Sequence, residues 1–339
     1  MMHNTQTTSP DVPDCSVTRS AGRFSVALAV YNGADRLPRQ LQSLARQTRR
    51  PDELVVFDDS SRDGSLAVLR RFADAAPFPV HVHCQSRNVG STRNFNCAVE
   101  AATGDFIALC DQDDVWLPHK LATLESALIA GAGMAFSDAH IVGSQLQPTG
   151  KRLWPSLGFT PRQQYRVEHG HGVDLLLRAN VVAGASMAFA SRHKALVLPI
   201  DEGWVHDAWI SLLIAAVDRC QAIAEPLFCY REHADQQIGP APTTAAAKWS
   251  KARQMDREYF QQLATNFARA AARLSAGGAP SEVLRHIQEK ADHCRARASM
   301  RQTGSTPLAR PVLIAREWFH RRYFRYSLGA ASVVQDLLL

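Results

Sequence analysis

The chain has 339 residues, 46% of them hydrophobic, and a formal charge of +6. That supplies one large domain with an extension, and no run of about 18 apolar residues is available as a transmembrane helix. Seven cysteines without CxxC spacing argue against a disulfide framework and for buried thiols in a reducing compartment, the cytoplasm.

Residues 1–22 are rich in Thr, Ser, Pro and Asp and lack the apolar core of a secretory signal, so they read as a disordered leader. From residue 23 strand and helix signals alternate. Phe24 to Val30 is a continuous apolar run broken by Tyr31-Asn32-Gly33, and leucines at 37, 41 and 44 give the following segment helical spacing. Glu53 to Phe57 is the next strand, ended by Asp58-Asp59-Ser60-Ser61. A helix over residues 64–73 follows, which Asp63 or Ser65 can cap. Val80 to Cys84 is a third strand, with Asn88 in the turn after it. Thr92 to Ala102 is helical, and the strand over residues 106–110 runs into Asp111-Gln112-Asp113-Asp114.

Near-continuous apolar strands separated by helices predict a buried parallel sheet. Each polar cluster follows a strand, and ligands of open α/β sheets bind outside the carboxyl ends of the strands. Tyr31, Asn32, Asp58, Asp59, Asn88 and Asp111 to Asp114 therefore describe one site. Three carboxylates within four residues repel unless a cation sits among them, and hard oxygen ligands select magnesium or manganese. A solvated acidic turn is the plainer reading of the same residues.

Further along, residues 132–136 and 221–230 read as strands, and Trp204 to Ala216 as a helix opened by His206-Asp207. Beyond Pro240-Ala241-Pro242 the composition turns to Ala, Arg, Gln and Lys, predicting helices over residues 245–275 and 281–300. This divides the chain into residues 23–240 and a helical extension, 241–339. The segment 318–326 mixes aromatic residues with Arg. That mixture suits a membrane interface, and equally a helix packed on the body with its Arg side chains snorkelling outward.

Together these motifs resemble the inverting family 2 glycosyltransferases of bacterial polysaccharide synthesis, and within them a rhamnosyltransferase-like branch. The resemblance spans roughly residues 25–239. It rests on Tyr31-Asn32, Gln47-Thr48, Pro51 through Asp58-Asp59-Ser60-Ser61, Asn88-x-Gly90 with Asn94-Phe95, Asp111-Gln112-Asp113-Asp114-x-Trp116, His206-Asp207-x-Trp209 and Tyr230-Arg231-x-His233. It implies a GT-A type, Rossmann-like αβα sandwich with a mostly parallel central sheet. It also implies a nucleotide-diphosphate sugar donor, dTDP-rhamnose or a UDP-sugar, and a glycan or lipid-linked acceptor.

In that scheme Asp58 or Asp59 holds the base and Tyr31 lies against its face. Asn32 and Asn88 stand in the matching donor-binding blocks. Asp111 approaches the ribose or a metal-bound water, Asp113 binds Mg2+ or Mn2+, and His233 completes the coordination or touches a phosphate. Asp207 is the general base, and His206, where many relatives have Glu, is a positioning group. Helix capping is the rival role for Asp58-Asp59, and a favourable charge at a helix N-terminus that for Asp207. Ser91-Thr92-Arg93 departs from the family pattern, so Arg93 reaches a phosphate or caps a helix.

Two other classes compete. A nucleotidyltransferase would carry a Gly-rich basic loop after the first strand, where Tyr31-Asn32-Gly33-Ala34-Asp35 stands instead, and the missing GxGxxG excludes a nicotinamide dehydrogenase. A non-catalytic, membrane-peripheral assembly protein would leave clustered carboxylates unused at a cost in stability. Nucleic acid is not an expected partner, because the basic residues lie far in sequence from the sheet-edge site.

Overall fold

A computed structural model describes residues 22–233, 254–301 and 309–338. The expected leader lies outside these except for Gly22, as does the beginning of the helix expected over residues 245–275. The first half alternates β1 (Phe24–Val30), α1 (Leu37–Ala45), β2 (Glu53–Asp58), α2 (Ser65–Ala75), β3 (Val80–Cys84), α3 (Ser91–Ala101) and β4 (Phe106–Cys110). β4 is apolar throughout, and β1 apart from Ser25, because helices cover both faces. Side chains alternate between the faces. Val26 and Leu28 pack toward Leu37, Leu41 and Leu44 of α1, while Ala27 packs toward Phe95, Ala98 and Val99 of α3.

The chain continues through β5 (Val115–Trp116), α4 (Lys120–Ile129), β6 (Met134–Val142), β7 (Pro148–Arg152), three short helices α5 (Leu153–Leu157), α6 (Pro161–Arg166) and α7 (Gly172–Leu176), β8 (Met187–Ala190), α8 (Lys194–Val197), α9 (His206–Val217) and β9 (Cys220–Arg231). The strands form one sheet in the order β3-β2-β1-β4-β8-β6-β9-β5, with β7 paired to β6. Pairing is parallel from β3 to β4 and mixed beyond, since β8 runs antiparallel to both β4 and β6. The small apolar run around Gly184 thus supplies an internal strand that periodicity did not reveal. Strand order reverses at β1, so the carboxyl ends of β1 and β4 flank a topological switch point.

Helices α10 (Arg257–Ala276) and α11 (Ser281–Met300) extend the core instead of standing apart from it. Phe267, Ala270 and Leu274 share a buried cluster with Trp209 and Leu213 of α9, and Ile287 and Cys294 of α11 join it. Helices α12 (Ala309–Phe319), α13 (Arg322–Tyr326) and α14 (Ala330–Leu338) dock on α11 through ion pairs. Arg297 binds the fully buried Asp336 through two 2.8 Å contacts, Arg301 adds one at 2.7 Å, and the Tyr323 hydroxyl donates to it at 2.8 Å. Burial alone would raise the Asp336 carboxyl, but Arg297 and Arg301 hold it below the usual range.

Removing the carboxylate strands two guanidinium groups. Asp336→Ala is therefore expected to cost about 3–5 kcal/mol, read as a lower urea midpoint of the full chain. A loss below about 1 kcal/mol, the value of a surface pair, would show that the network does not latch α14.

Candidate active site

The turns after β1, β2, β3 and β4 meet at the carboxyl edge of the sheet. Asn32 adopts a left-handed backbone, φ 47°, which its short polar side chain tolerates, and this turns the chain sharply after β1. Its Oδ1 accepts from the Arg62 amide at 2.9 Å, and its own amide donates to Ser61 Oγ at 2.9 Å, so Asn32 braces the loop after β2. Gln112 binds the Tyr31 backbone twice, accepting from its amide at 2.9 Å and donating to its carbonyl at 3.0 Å. A Cβ on Gly33 would lie 2.4 Å from Gln112 Oε1, so this staple between β1 and β4 requires glycine there. The Tyr31 ring is left 44% exposed beside the site.

The two aspartates after β2 divide their work. Asp59 accepts from the amides of Val89 and Gly90 at 2.7 and 2.9 Å and ties down the loop after β3. Asn88 itself is exposed. Asp58 accepts from the Ser61 amide at 2.9 Å through Oδ2, while its buried Oδ1 has no hydrogen-bond partner. Neither carboxylate caps α2; Asp63 does, its Oδ1 accepting from the Ser65 amide at 2.9 Å. Of the pair, Asp58 keeps an acceptor for a ligand.

At the end of β4, Asp111 is pushed up to about 7, first by burial and then by the charges of Asp113 and Asp207. Asp114 turns inward, accepts from the Arg231 amide at 3.1 Å and is raised well above the carboxylate range by burial and by its acidic neighbours. Asp113 Oδ2 lies 2.7 Å from His233 Nε2, a contact spanning 120 residues of sequence. Among the described residues no three acidic, His or Cys side chains converge as a ready metal cage. The pair Asp113 and His233 with Asp111 alongside nonetheless fits a magnesium or manganese site, because such ions take one or two protein ligands and fill the rest with phosphate and water.

One buried cation, unmarked in the sequence, balances this cluster. Lys120 is fully buried, with its ammonium 3.7 Å from the Trp116 ring centroid and donating to the Ala185 carbonyl. Burial drops it to about 7 against the opposing pull of Cys110, Asp114 and Asp111.

Asp207 sits in the first turn of α9, 9% exposed. Its Oδ1 accepts from Asn180 Nδ2 at 3.0 Å and its Oδ2 from the Gly184 amide at 3.1 Å. Burial pushes its carboxyl up to about 6 in spite of these bonds. His206 stacks on Phe95 with ring centroids 3.9 Å apart, and burial lowers it to about 3, which keeps it neutral. Arg93 pairs with Glu202 at 2.7 Å, on the loop that leads into α9.

The profile of glycosyl transferase family 2 matches residues 25–180, the part that carries every turn of this sheet edge. Residues 25–180 belong to that family. Asp207 and His233 lie beyond the matched segment. Among curated relatives, an uncharacterised glycosyltransferase of Nostoc is 39% identical over 99 residues, covering 29% of the chain and 30% of that protein. The Bacillus subtilis putative glycosyltransferase EpsE is 27% identical over 138 residues, 38% of the chain and 50% of its own length. The Escherichia coli UDP-Glc:alpha-D-GlcNAc-diphosphoundecaprenol beta-1,3-glucosyltransferase WfaP is 30% identical over 100 residues, 29% and 38%. The chain thus spans no more than half the length of these relatives. Among solved structures, S. aureus TarS 1-349 superposes with a TM-score of 0.54 at 15% identity, covering 86% of the chain and 78% of TarS. Its complex with UDP-GlcNAc gives 0.53 at 15%, covering 93% and 89%. At that identity the likeness is one of fold.

Proposed function

We propose that this chain is an inverting glycosyltransferase that moves one sugar from a nucleotide-diphosphate donor to a glycan or lipid-linked acceptor at the cytoplasmic face of the membrane. The observation that carries this reading is the division of carboxylates around the switch point. Asp58 offers an orphaned acceptor on one side, Asp111 and Asp113 form an anionic nest in the middle, and Asp207 stands beside Asp111 on a different element.

Asp58 Oδ1 accepts the imide N–H of uracil or thymine, and the Tyr31 ring covers the base face. Asp111 sits by the ribose, with Asn32, Asp59 and Asn88 shaping the loops around it. Asp113 and His233 would hold Mg2+ or Mn2+, which when bound would neutralise charge on the departing diphosphate. Asp207 takes the proton of the acceptor hydroxyl as that oxygen bonds to the anomeric carbon, and the bond to the diphosphate breaks with its electron pair leaving on the phosphate oxygen. Asn180 and Gly184 orient the base, and neutral His206 walls it from water. The donor is a dTDP- or UDP-sugar. A lipid-diphosphate acceptor is favoured because the name of the relative WfaP specifies one.

The test is release of nucleoside diphosphate from a panel of UDP- and dTDP-sugars with a synthetic lipid-diphosphate saccharide, the product's anomeric configuration being read by NMR. One donor giving an inverted linkage supports the reading. Retained configuration, or no release from any donor, overturns it.

A further inference from the structure

Helices α12 to α14 bury their carboxylates and several uncharged polar residues while leaving large apolar side chains exposed. Glu317 and Asp336 are 0% exposed, and Ser327, Ser332 and Gln335 are buried with them. Phe319 is 83% exposed, Leu328 66%, and Val312 and Leu338 65% each, while Trp318 and Phe324 pack edge to face at the surface, 4.9 Å apart. A helix facing water would do the reverse.

The charges are just as one-sided. Residues 309–338 contain only those two carboxylates. Both point inward, Asp336 to Arg297 and Arg301, and Glu317 to His293 at 2.8 Å and Arg322 at 3.2 Å. The charge this segment exposes is therefore all positive, with Arg316, Arg321 and Arg325 interleaved among the aromatic residues. Beside this face a cleft of about 500 Å³ opens between α11 and α12, lined by Arg295, Arg316, His320 and Arg322, with a single carboxylate, Asp292, paired to Arg295.

We infer that residues 309–338 form a platform that docks on an anionic phospholipid bilayer, with Trp318, Phe319, Phe324 and Leu328 entering the interface and the arginine-lined cleft taking a lipid phosphate. Apolar side chains each release about 1.5–3 kcal/mol on leaving water, and each arginine near an anionic surface adds about 1 kcal/mol. A second copy of the chain is a poorer occupant, because it would bring one array of arginines against another with no exposed carboxylate of the segment between them. The helices are too short to cross a bilayer, and among the described residues no helix is long and apolar enough to do so, so the contact is peripheral. It explains how the proposed transferase would meet a lipid-linked acceptor, and so it rests on that reading for its purpose but not for its test.

The full chain is sedimented with vesicles of phosphatidylcholine alone or mixed with phosphatidylglycerol. Binding at least about tenfold tighter to the anionic vesicles, and weakened by salt, is expected. Trp318→Ser with Phe319→Ser and Leu328→Ser should abolish it. Arg316→Gln with Arg321→Gln and Arg325→Gln should reduce it about tenfold or more, with melting curves close to wild type, because Glu317 keeps His293 and Arg322 without Arg316 and the 3.8 Å contact of Arg325 with Glu289 is a long surface pair. At equal ionic strength inorganic phosphate should displace it no more than chloride does. Failure to bind anionic vesicles, binding indifferent to both variants, displacement by phosphate beyond that by chloride at equal ionic strength, or a dimer that the apolar variant dissolves would each overturn the platform. Turnover of a soluble acceptor is scored separately, so platform and transferase can fail independently.

Discussion

Asp207→Asn is expected to lower kcat about a thousandfold while leaving donor affinity near wild type. Asparagine keeps the shape and accepts one of the two hydrogen bonds from Asn180 and Gly184, but it cannot take a proton from the acceptor hydroxyl. In the wild type the base works only as the carboxylate, so kcat/KM should climb with pH through about 6, the value to which burial pushes this group. Stability runs the opposite way. A carboxyl near 3.9 in the unfolded chain and about 6 in the folded one favours folding when protonated. That contribution, about 3 kcal/mol, is complete below the unfolded value and is lost as pH rises through about 6. The unfolding free energy of Asp207→Asn relative to wild type should therefore improve from about pH 4 to about pH 7, as turnover in the wild type increases. An Asp207→Asn enzyme with wild-type turnover would sink the base assignment. A stability gap independent of pH would show that the carboxyl is not desolvated.

That opposition explains part of what could be read from the sequence. Apolar runs on β1, β2 and β4 must be buried on both faces, and the polar turns must then cluster at one edge, so the parallel half of the sheet and its site were legible. β8 was not. Met187 to Ala190 is too short and uniform to separate strand from buried helix, and only its pairing with β4 and β6 defines it. Residue roles followed the same divide. A carboxylate after a strand is visible in sequence, but whether it serves a ligand or a loop depends on which amides come near. Asp59 and Asn32 brace loops, whereas Asp58 retains a free acceptor. Gln112, between two aspartates, gave no sign that it would staple the Tyr31 backbone. Lys120 reads as a solvated helix residue, and its burial comes from Trp116 and Phe228, the latter more than a hundred positions away. Asn180 had no sequence signal at all, since its partner Asp207 lies 27 residues on.

The balance of charge at the sheet edge leads to the second large effect. Asp111, Asp113 and Asp114 share one turn, and the protein answers them with Lys120, itself lowered to about 7, and with the buried Arg231, whose charge acts on Asp113 and Asp114. The cluster therefore holds protons it would exchange for a divalent cation. Wild-type protein with manganese and saturating UDP or dTDP, at about a hundred times Kd, should gain about 2.7 kcal/mol, seen as a rise in Tm of several degrees. Chelator should remove the gain. Asp113→Ala should remove most of it too, because His233 then loses its 2.7 Å partner and a single imidazole holds a hard cation weakly. The pH dependence has a definite sign. Asp111 titrates at about 7 in the metal-free protein, so cation and proton compete there, and the metal-dependent gain should grow from about pH 6 to about pH 8. A gain that survives Asp113→Ala would move the ligand role to Asp111. A full gain with nucleotide and no metal would mean that protein groups alone carry the diphosphate, and the transferase would then work without a cation.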